Sequence, residues 1–220
     1  NVATGTATVT VQDVTPPVVT CNPWTINYNG NNGGYHLLPG YMVTATDNCS
    51  VASIQIARDE NNDGIADDPW SDRIVYSCAD VGARRYIVRV TDTSGNTTTC
   101  GNSVTINETN APTVLTQNIS VNLDALGTVS ITAAQINNGS VDDCGIASIT
   151  VSPTIFTCST IGANTVTLTV TDVNGNVATA TATVTVVNTF PDTDSDGLPN
   201  NCDADDDNDG TSDAQEITNG

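Results

Sequence analysis

Alternating aspartates near the carboxyl end of the chain form two short loops whose side chains could bind a cation. The first loop reads DTDSDG from position 192, and the second reads DDDNDG from position 205. Carboxylates two residues apart converge on one centre when the chain curls, and glycine at the sixth position permits the sharp turn that this requires. An EF-hand type loop carries another acid at its twelfth position, where Asp203 and Glu216 stand. Calcium is therefore the cofactor that both loops predict.

The predicted ligands divide into two sets. The first set is Asp192, Asp194, Asp196 and Asp203, with the backbone carbonyl of Leu198. The second set is Asp205, Asp207, Asp209 and Glu216, with the backbone carbonyl of Thr211. Asn200 is a neutral oxygen donor at the place where the second loop has Asp213, and this weakens the first site. The alternative, a solvated acidic tail, does not explain why glycine and acid recur at fixed offsets.

A third acidic loop lies in the first half of the chain. It has oxygen donors at its first, third and fifth positions and Gly64 at its sixth, but its twelfth residue is Trp70, which cannot bind a cation. Asp67, Asp68 or Asp72 would have to complete such a site. The predicted calcium ligands here are Asp59, Asn61, Asp63 and Asp67. A simple acidic turn is the alternative, because Asp, Asn and Gly are also the residues that tight turns use.

The charge of the chain limits its partners. Among 220 residues there are 25 acids and five basic residues, all arginine, for a formal net charge of −20. Nucleic acid is excluded as a partner because phosphate binding requires clustered Lys and Arg. No apolar run approaches the ~20 residues of a membrane helix, so direct membrane insertion is not expected. His36 is the single histidine and has no cysteine or acidic cluster beside it in the sequence, so we expect no enzyme.

Two segments of the chain recur, which indicates an array of like domains. DNCSVASI from position 47 recurs as DDCGIASI 95 residues later, and TDTSGN from position 91 recurs as TDVNGN 80 residues later. TATVTV at 6–11 also matches TATVTV at 181–186. We therefore predict two domains, 14–108 and 109–188, followed by a calcium-binding connector, 189–220. Residues 1–13 are either the last strand of a preceding repeat or a strand donated to another molecule.

Seven cysteines in a chain with thin cores indicate disulfides and an oxidising, extracellular setting. Cys49 corresponds to Cys144 in the repeat, and Cys78 corresponds to Cys158. Because both copies keep both cysteines, we predict the bonds Cys49–Cys78 and Cys144–Cys158.

Two further cysteines are absent together from the second copy. Thr116 stands where the first copy has Cys21, and Ala180 stands where it has Cys100. Joint absence is typical of a bonded pair, so we predict Cys21–Cys100. Cys202 remains without a partner in this scheme, and a partner outside the chain would fit.

Strand patterns are clearest in the second copy. Apolar residues alternate with threonines over 164–171 and 177–186, and a five-residue turn separates the two runs. A period of two predicts half-buried antiparallel strands. With about seven such strands per copy, the sequence predicts an all-β chain of tandem immunoglobulin-like β-sandwiches with a C-terminal calcium-binding loop segment.

Each copy resembles the HYR (hyalin repeat) module, an immunoglobulin-like domain of extracellular and cell-surface proteins. The first copy shows the likeness in PPVVTC from position 16, ATDNC from 45 and VRVTD from 88, and the second in AP at 111, DDC at 142 and TVTD at 169. The segment 192–216 resembles the thrombospondin type 3 calcium repeat. Together they look like the giant repeat adhesins of bacterial surfaces.

The resemblance implies a non-enzymatic, cell-surface segment for adhesion or spacing, with neighbouring repeats, like subunits, surface glycans or proteins as partners. One alternative is a subunit of an extracellular filament assembled by strand addition through residues 6–11. Another is a carbohydrate-binding accessory of a secreted enzyme, since Trp24, Tyr28, Tyr35 and Tyr41 flank a loop rich in Asn and Gly, Asn29 to Gly34.

Overall fold

The computed structural model describes residues 4–28 and 35–213 of the chain. The protein is all-β and consists of two compact units, divided between Thr109 and Asn110. Each unit is an immunoglobulin-like β-sandwich, as the alternating apolar pattern predicts. None of the helices in these two ranges has the length and apolar character needed to span a bilayer.

The first unit is built around a four-stranded sheet in the order β2-β8-β7-β5, in which β2 runs parallel to β8. The pairs β1-β4 and β3-β6 lie outside this sheet. The strands are β1 (Val18–Cys21), β2 (Trp24–Tyr28), β3 (Tyr35–Leu37), β4 (Val43–Thr46), β5 (Val51–Arg58), β6 (Ile74–Tyr76), β7 (Gly82–Asp92) and β8 (Thr97–Glu108).

Apolar side chains from facing strands fill the interior of the first unit. Ile56, Val88 and Val104, from three neighbouring strands of the sheet, are fully buried. The Tyr86 hydroxyl donates to the backbone carbonyl of Asn22 at 2.5 Å, which gives this buried ring a polar partner. Burial raises the pKa of Tyr86 to about 12, so the hydroxyl stays protonated and able to donate.

The second unit repeats this plan with the sheet order β11-β13-β14-β9, and β9 is parallel to β14. The pair β10-β12 and a short α-helix, α1 (Ala133–Ile136), complete it. The strands are β9 (Ile119–Asn122), β10 (Thr128–Ser130), β11 (Ile146–Ser152), β12 (Ile155–Thr157), β13 (Gly162–Asp172) and β14 (Val177–Val187).

The predicted alternation in the second unit is confirmed. Val166, Leu168 and Val170 are fully buried along β13. Along β14, Ala182, Val184 and Val186 are buried, whereas Thr179, Thr181 and Thr185 are exposed. The hairpin between these strands is the predicted turn at 172–176. Because side chains of a strand alternate between faces, a simple threonine–apolar pattern is enough to fix which face packs.

The cysteines pair differently from the prediction in two of three cases. Cys21–Cys100 forms as predicted. Cys158 bonds to Cys202 instead of Cys144, so Cys202 has its partner inside the chain, and Cys49 is a free, exposed thiol. The predicted bonds Cys49–Cys78 and Cys144–Cys158 are therefore wrong, although Cys78 and Cys144 are both disulfide-bonded.

Strand length explains why the two predicted bonds cannot form. Cys49 precedes β5, whose first residue pairs with Asp92 at the end of β7, whereas Cys78 lies just before the start of β7. The 11 residues of β7 place those two ends roughly 33 Å apart, far beyond the reach of a disulfide. In the second unit Cys144 and Cys158 stand in the same relation to β13.

The two terminal segments differ in how they are held. Residues 4–17 form no strand, and the side chains of Val9 and Val11 are 83% and 93% exposed. The segment after β14 belongs to the second compact unit, and the Cys158–Cys202 bond ties it there.

Candidate metal centres

The structure gathers each aspartate triad of the C-terminal loops. One carboxylate oxygen from each of Asp192, Asp194 and Asp196 lies within 4.8 Å of the other two. The second triad, Asp205, Asp207 and Asp209, meets the same limit. Three carboxylates at this separation repel one another unless a cation lies between them.

Both loops have the same backbone hydrogen bonds, 13 residues apart. In the first, the amide of Gly197 donates to Asp192 at 3.1 Å and the amide of Leu198 donates to Asp196 at 2.7 Å. In the second, the amide of Gly210 donates to Asp205 at 3.0 Å and the amide of Thr211 donates to Asp209 at 2.8 Å. Positive φ at Ser195 and Gly197, and again at Asn208 and Gly210, makes this turn possible. The two loops, which are similar in sequence, therefore also have the same backbone conformation and hydrogen bonds.

The ninth position of each loop braces the loop from outside the triad. The Asn200 side-chain oxygen accepts from the amide of Thr193 at 3.0 Å, and the Asp213 carboxylate accepts from the amide of Asp206 at 2.9 Å. Both side chains accept a hydrogen bond from the backbone amide of the second loop residue. This role requires a hydrogen-bond acceptor but no negative charge. The substitution of Asn for Asp at this position thus keeps the brace of the first loop.

Of the two predicted twelfth-position acids, Asp203 is the one that the structure describes. Asp203 does not join the cluster of the first triad, and its Oδ1 instead accepts from the amides of Ala204 and Asp205 at 2.6 and 3.2 Å. Asp203 therefore supports the start of the second loop. Glu216 lies outside the described residues.

Uncompensated carboxylate oxygens mark the second loop. Oδ1 of Asp205 and Oδ1 of Asp206 are buried and have no hydrogen-bond partner. Burial, followed by repulsion from Asp213 and Asp203, raises the pKa of Asp206. A buried carboxylate oxygen without a donor is costly, and a bound cation would remove that cost for the triad member Asp205.

The first loop is anchored to the second β-sandwich. Next to the Cys158–Cys202 bond, the side chain of Asn201 donates to the backbone carbonyl of Asp124 at 2.7 Å. The side chain of Asn188 donates to the Asn201 side chain at 2.8 Å. These contacts hold one end of the connector against the domain that precedes it.

The acidic loop at 59–67 is a turn closed by its own hydrogen bonds. The amide of Asp63 donates to Asp59 at 3.1 Å, the amide of Glu60 donates to Asp67 at 2.6 Å, and the side chain of Asn61 donates to Asp63 at 3.0 Å. Within the described ranges no group of three carboxylates gathers here. The predicted calcium site at Asp59, Asn61, Asp63 and Asp67 stays a prediction.

A further acidic cluster, which the sequence motifs do not predict, lies in the first unit. One carboxylate oxygen from each of Asp13, Asp47 and Asp92 lies within 4.8 Å of the other two. The three residues come from separate segments, so no spacing rule finds them. The available signal was that Asp47 and Asp92 both belong to the repeated motifs. A hydrogen bond to Asp13 is the main cause that raises the pKa of the neighbouring Cys49 thiol. Burial and repulsion from the carboxylates of Asp13, Asp47 and Asp92 raise it further.

Aromatic side chains also meet on the first unit. Trp24 and Tyr41 stack with their ring centroids 6.1 Å apart and their planes inclined by 18°. Their exposed fractions are 37% and 58%, so the pair faces solvent. The loop Asn29 to Gly34, which the carbohydrate-binding hypothesis also uses, lies outside the described residues, and the side chains of Tyr28 and Tyr35 are not described.

Comparison with known proteins gives structural similarity alone. No family model matches this chain, and no curated protein matches it. Domains EC1-2 of human mucin-like protocadherin are 13% identical with a TM-score of 0.36, over 78% of this chain and 98% of that one. Domains EC1-4 of Drosophila N-cadherin are 13% identical with a TM-score of 0.39, over 79% of this chain and 50% of that one. An endo-fucoidan hydrolase of glycoside hydrolase family 107 is 18% identical with a TM-score of 0.27, over 80% of this chain and 29% of that one.

Proposed function

We propose that this chain is a non-enzymatic segment of an extracellular repeat protein, such as an adhesin or stalk, and that calcium stiffens its C-terminal connector. The observation that carries the proposal is the pair of aspartate triads with matching geometry. Calcium would cancel the repulsion within each triad and fix the path of the backbone around it.

The covalent structure supports a spacer role outside the cell. Six of the seven cysteines are disulfide-bonded, which is the pattern of proteins in oxidising compartments. The bond between Cys158 and Cys202 gives the connector a fixed origin on the second domain. A segment that is anchored at one end and stiffened along its length is suited to act as a spacer. The resemblance to HYR and thrombospondin type 3 repeats points the same way.

Titration calorimetry of the full chain with Ca²⁺ tests the proposal. We expect binding heat for the native chain and the loss of part of it when Asp194→Asn and Asp207→Asn remove one carboxylate from each triad. Asp143→Asn is the matched control, because Asp143 is exposed and belongs to neither triad nor to any predicted ligand set. Absence of binding heat in the native chain at millimolar Ca²⁺ would refute calcium binding.

A filament subunit is the second candidate, and the exposed N-terminal segment favours it. Residues 4–12 present Val9 and Val11 to solvent without a strand partner in the described structure. An extended segment with unpaired backbone can add to a sheet edge of another molecule. Light scattering over a concentration series separates the two functions. A constant monomer mass supports the stalk, and mass that grows with concentration supports the filament.

Carbohydrate binding is the third candidate, favoured by the exposed stack of Trp24 and Tyr41. Aromatic faces bind sugar rings by stacking, with polar groups beside them for orientation. Glycan-array binding that Trp24→Ala abolishes would favour this function over the other two. A native chain that binds no glycan on the array would eliminate it.

A further inference from the structure

The two β-sandwiches differ at one edge of their four-stranded sheets. β5 lies at this edge in the first unit and β11 in the second. Ile56 of β5 and Val151 of β11 are equivalent, because they lie opposite Val88 and Leu168, which correspond in the two copies. In the first unit the chain between β5 and β6 covers the edge. The amide of Ile56 donates to the carbonyl of Ser71 at 2.8 Å, and the amide of Ser71 donates to the carbonyl of Ile56 at 3.0 Å.

The second unit has no segment that could cover its edge in the same way. β11 ends at Ser152 and β12 begins at Ile155, so only two residues separate these strands. By equivalence with Ile56, the backbone amide and carbonyl of Val151 point away from β13, and so do those of Ile149, two residues earlier. Among the described residues, no backbone hydrogen bond reaches Ile149 or Val151 from outside the sheet. The outer edge of β11 is therefore open.

The open edge lacks the features that usually prevent strand addition. Edge strands are commonly protected by charged residues, proline or a covering segment, whereas β11 reads IASITVS. The helix α1 packs beside β11 as the turn Pro39–Tyr41 packs beside β5. Because Ser71 still bonds to Ile56 next to that turn, packing of this kind leaves the edge accessible to another strand.

We propose that the edge of β11 binds residues 6–11 of a second copy of the chain, which add to the sheet as a further strand. The inference rests on the second candidate function, the filament subunit, and identifies the surface that receives the donated strand. The sequence TATVTV at 6–11 also occurs at 181–186, where it forms part of β14 in this same sheet. Residues 4–12 are exposed and make no hydrogen bond to the rest of the described chain. Their backbone is thus free to pair.

The side chains of the segment match those of the edge. Ile149 and Val151 are half-buried and lie opposite buried residues of β13, so their side chains are on the inner face of the sheet. Because side chains alternate along a strand, an added segment can place Ala7, Val9 and Val11 on this face and its threonines towards solvent. Pairing would then remove from water the two valines that the segment exposes.

Charge and length also favour a second copy as the occupant. A net charge of −20 opposes association of two copies wherever charged surfaces meet. Residues 4–12 and 146–152 contain no charged residue, so this contact brings no like charges together. Six residues of strand span about 20 Å, which fits within the seven residues of β11.

Sedimentation velocity and quenched hydrogen exchange of the full chain over a concentration series test this inference. We expect the mass to rise with concentration, while exchange at the amides of Ile149 and Val151 slows at least about tenfold. The amide of Thr150 points towards β13 and should exchange slowly throughout. Rising mass with unchanged exchange at Val151 would overturn this acceptor edge and leave the filament function standing. A chain that stays monomeric at every concentration would overturn both.

Two proline variants separate the donor from the acceptor. Val9→Pro disables the donated segment, and Val151→Pro removes an outward amide that the pairing of β11 with β13 does not use. Each variant alone should remain a monomer of 22.7 kDa, and an equal mixture should form pairs of twice that mass. Gly5→Pro, just outside the segment, is the matched control and should associate as the native chain does.

Each of the other outcomes contradicts one part of the proposal. Association of Val151→Pro alone would show that another surface accepts the strand, and association of Val9→Pro alone would show that another segment donates it. A mixture that stays monomeric would overturn the pairing itself. Val9 lies outside every strand, so Val9→Pro tests the donor even if Val151→Pro disturbs the fold.

Discussion

The Sγ atoms of Cys158 and Cys202 are bonded, and this bond attaches the end of the first aspartate loop to the second β-sandwich. Gly127 lies against it, where an added Cβ would come within 2.5 Å of the Cys158 sulfur and 2.8 Å of the Asn201 carbonyl. The glycine, the bond and the connector thus form one packed unit. A connector fastened in this way begins with a fixed orientation relative to the second domain.

Removing this disulfide should destabilise the second unit. The bond closes a loop between positions 44 residues apart, so Cys158→Ala with Cys202→Ala should lower the free energy of unfolding by about 4 kcal/mol. Thermal unfolding followed by circular dichroism measures the loss. Cys49→Ala is the control, because that thiol is free and exposed. Equal melting of the double variant and the native chain would contradict the role given to the bond.

The two copies predict a stabilising substitution at Ser50. Ser50 has φ of 139° at the position where the second copy has Gly145 with φ of 106°. In both, the carbonyl accepts an amide at 3.1 Å, from Thr93 and Val173 respectively. Because only glycine adopts this backbone without strain, Ser50→Gly should raise the stability of the first unit by about 1 kcal/mol.

Urea unfolding followed by tryptophan fluorescence measures this gain, since Trp24 and Trp70 both lie in the first unit. The reverse change, Gly145→Ser, should destabilise the second unit, which circular dichroism detects. A Ser50→Gly variant no more stable than the native chain would show that the backbone there is not strained.

Asp172 should make the stability of the second unit depend on pH. It is 1% exposed and accepts three hydrogen bonds, from the amides of Asn174 and Asn176 at 2.8 Å and from the Asn176 side chain at 2.7 Å. Burial alone would raise the pKa of Asp172, but these bonds outweigh burial and lower the pKa. The stabilisation is therefore complete above the unfolded pKa of about 3.9 and is lost as the pH falls through the folded pKa.

Asp172→Asn should accordingly lower the free energy of unfolding of the second unit by about 2 kcal/mol at pH 7. The difference in unfolding free energy between the variant and the native chain should narrow below about pH 4. Denaturation in the presence of a chelator measures this without a contribution from calcium. Asp72→Asn should show no such difference at either pH. An Asp172→Asn deficit of equal size at pH 3 and pH 7 would contradict the assignment.

The sequence predicts the strands of this fold well because their period is local. Threonine alternating with valine, leucine or alanine fixes the inward face of β13 and β14. The triads at 192–196 and 205–209 are predictable for the same reason, since their ligands are neighbours in sequence.

Features that depend on where strand ends meet were not predictable in this way. The repeat identifies corresponding cysteines, but it does not show that the 11 residues of β7 separate Cys49 from Cys78. Nor does it show that the chain after β14 returns to bring Cys202 to Cys158. The cluster of Asp13, Asp47 and Asp92 has the same origin, because three segments distant in sequence meet at one end of the first domain.

Hydrogen exchange of the backbone amides at 192–213, compared in millimolar Ca²⁺ and in chelator, tests the central claim that calcium gives the connector a defined path. The amides of Gly197 and Gly210 donate to the first aspartate of each loop, so they exchange slowly only while the loops stay closed. We expect calcium to slow their exchange at least about tenfold, with little change in the buried strand β13. Equal exchange rates in calcium and in chelator would contradict the account.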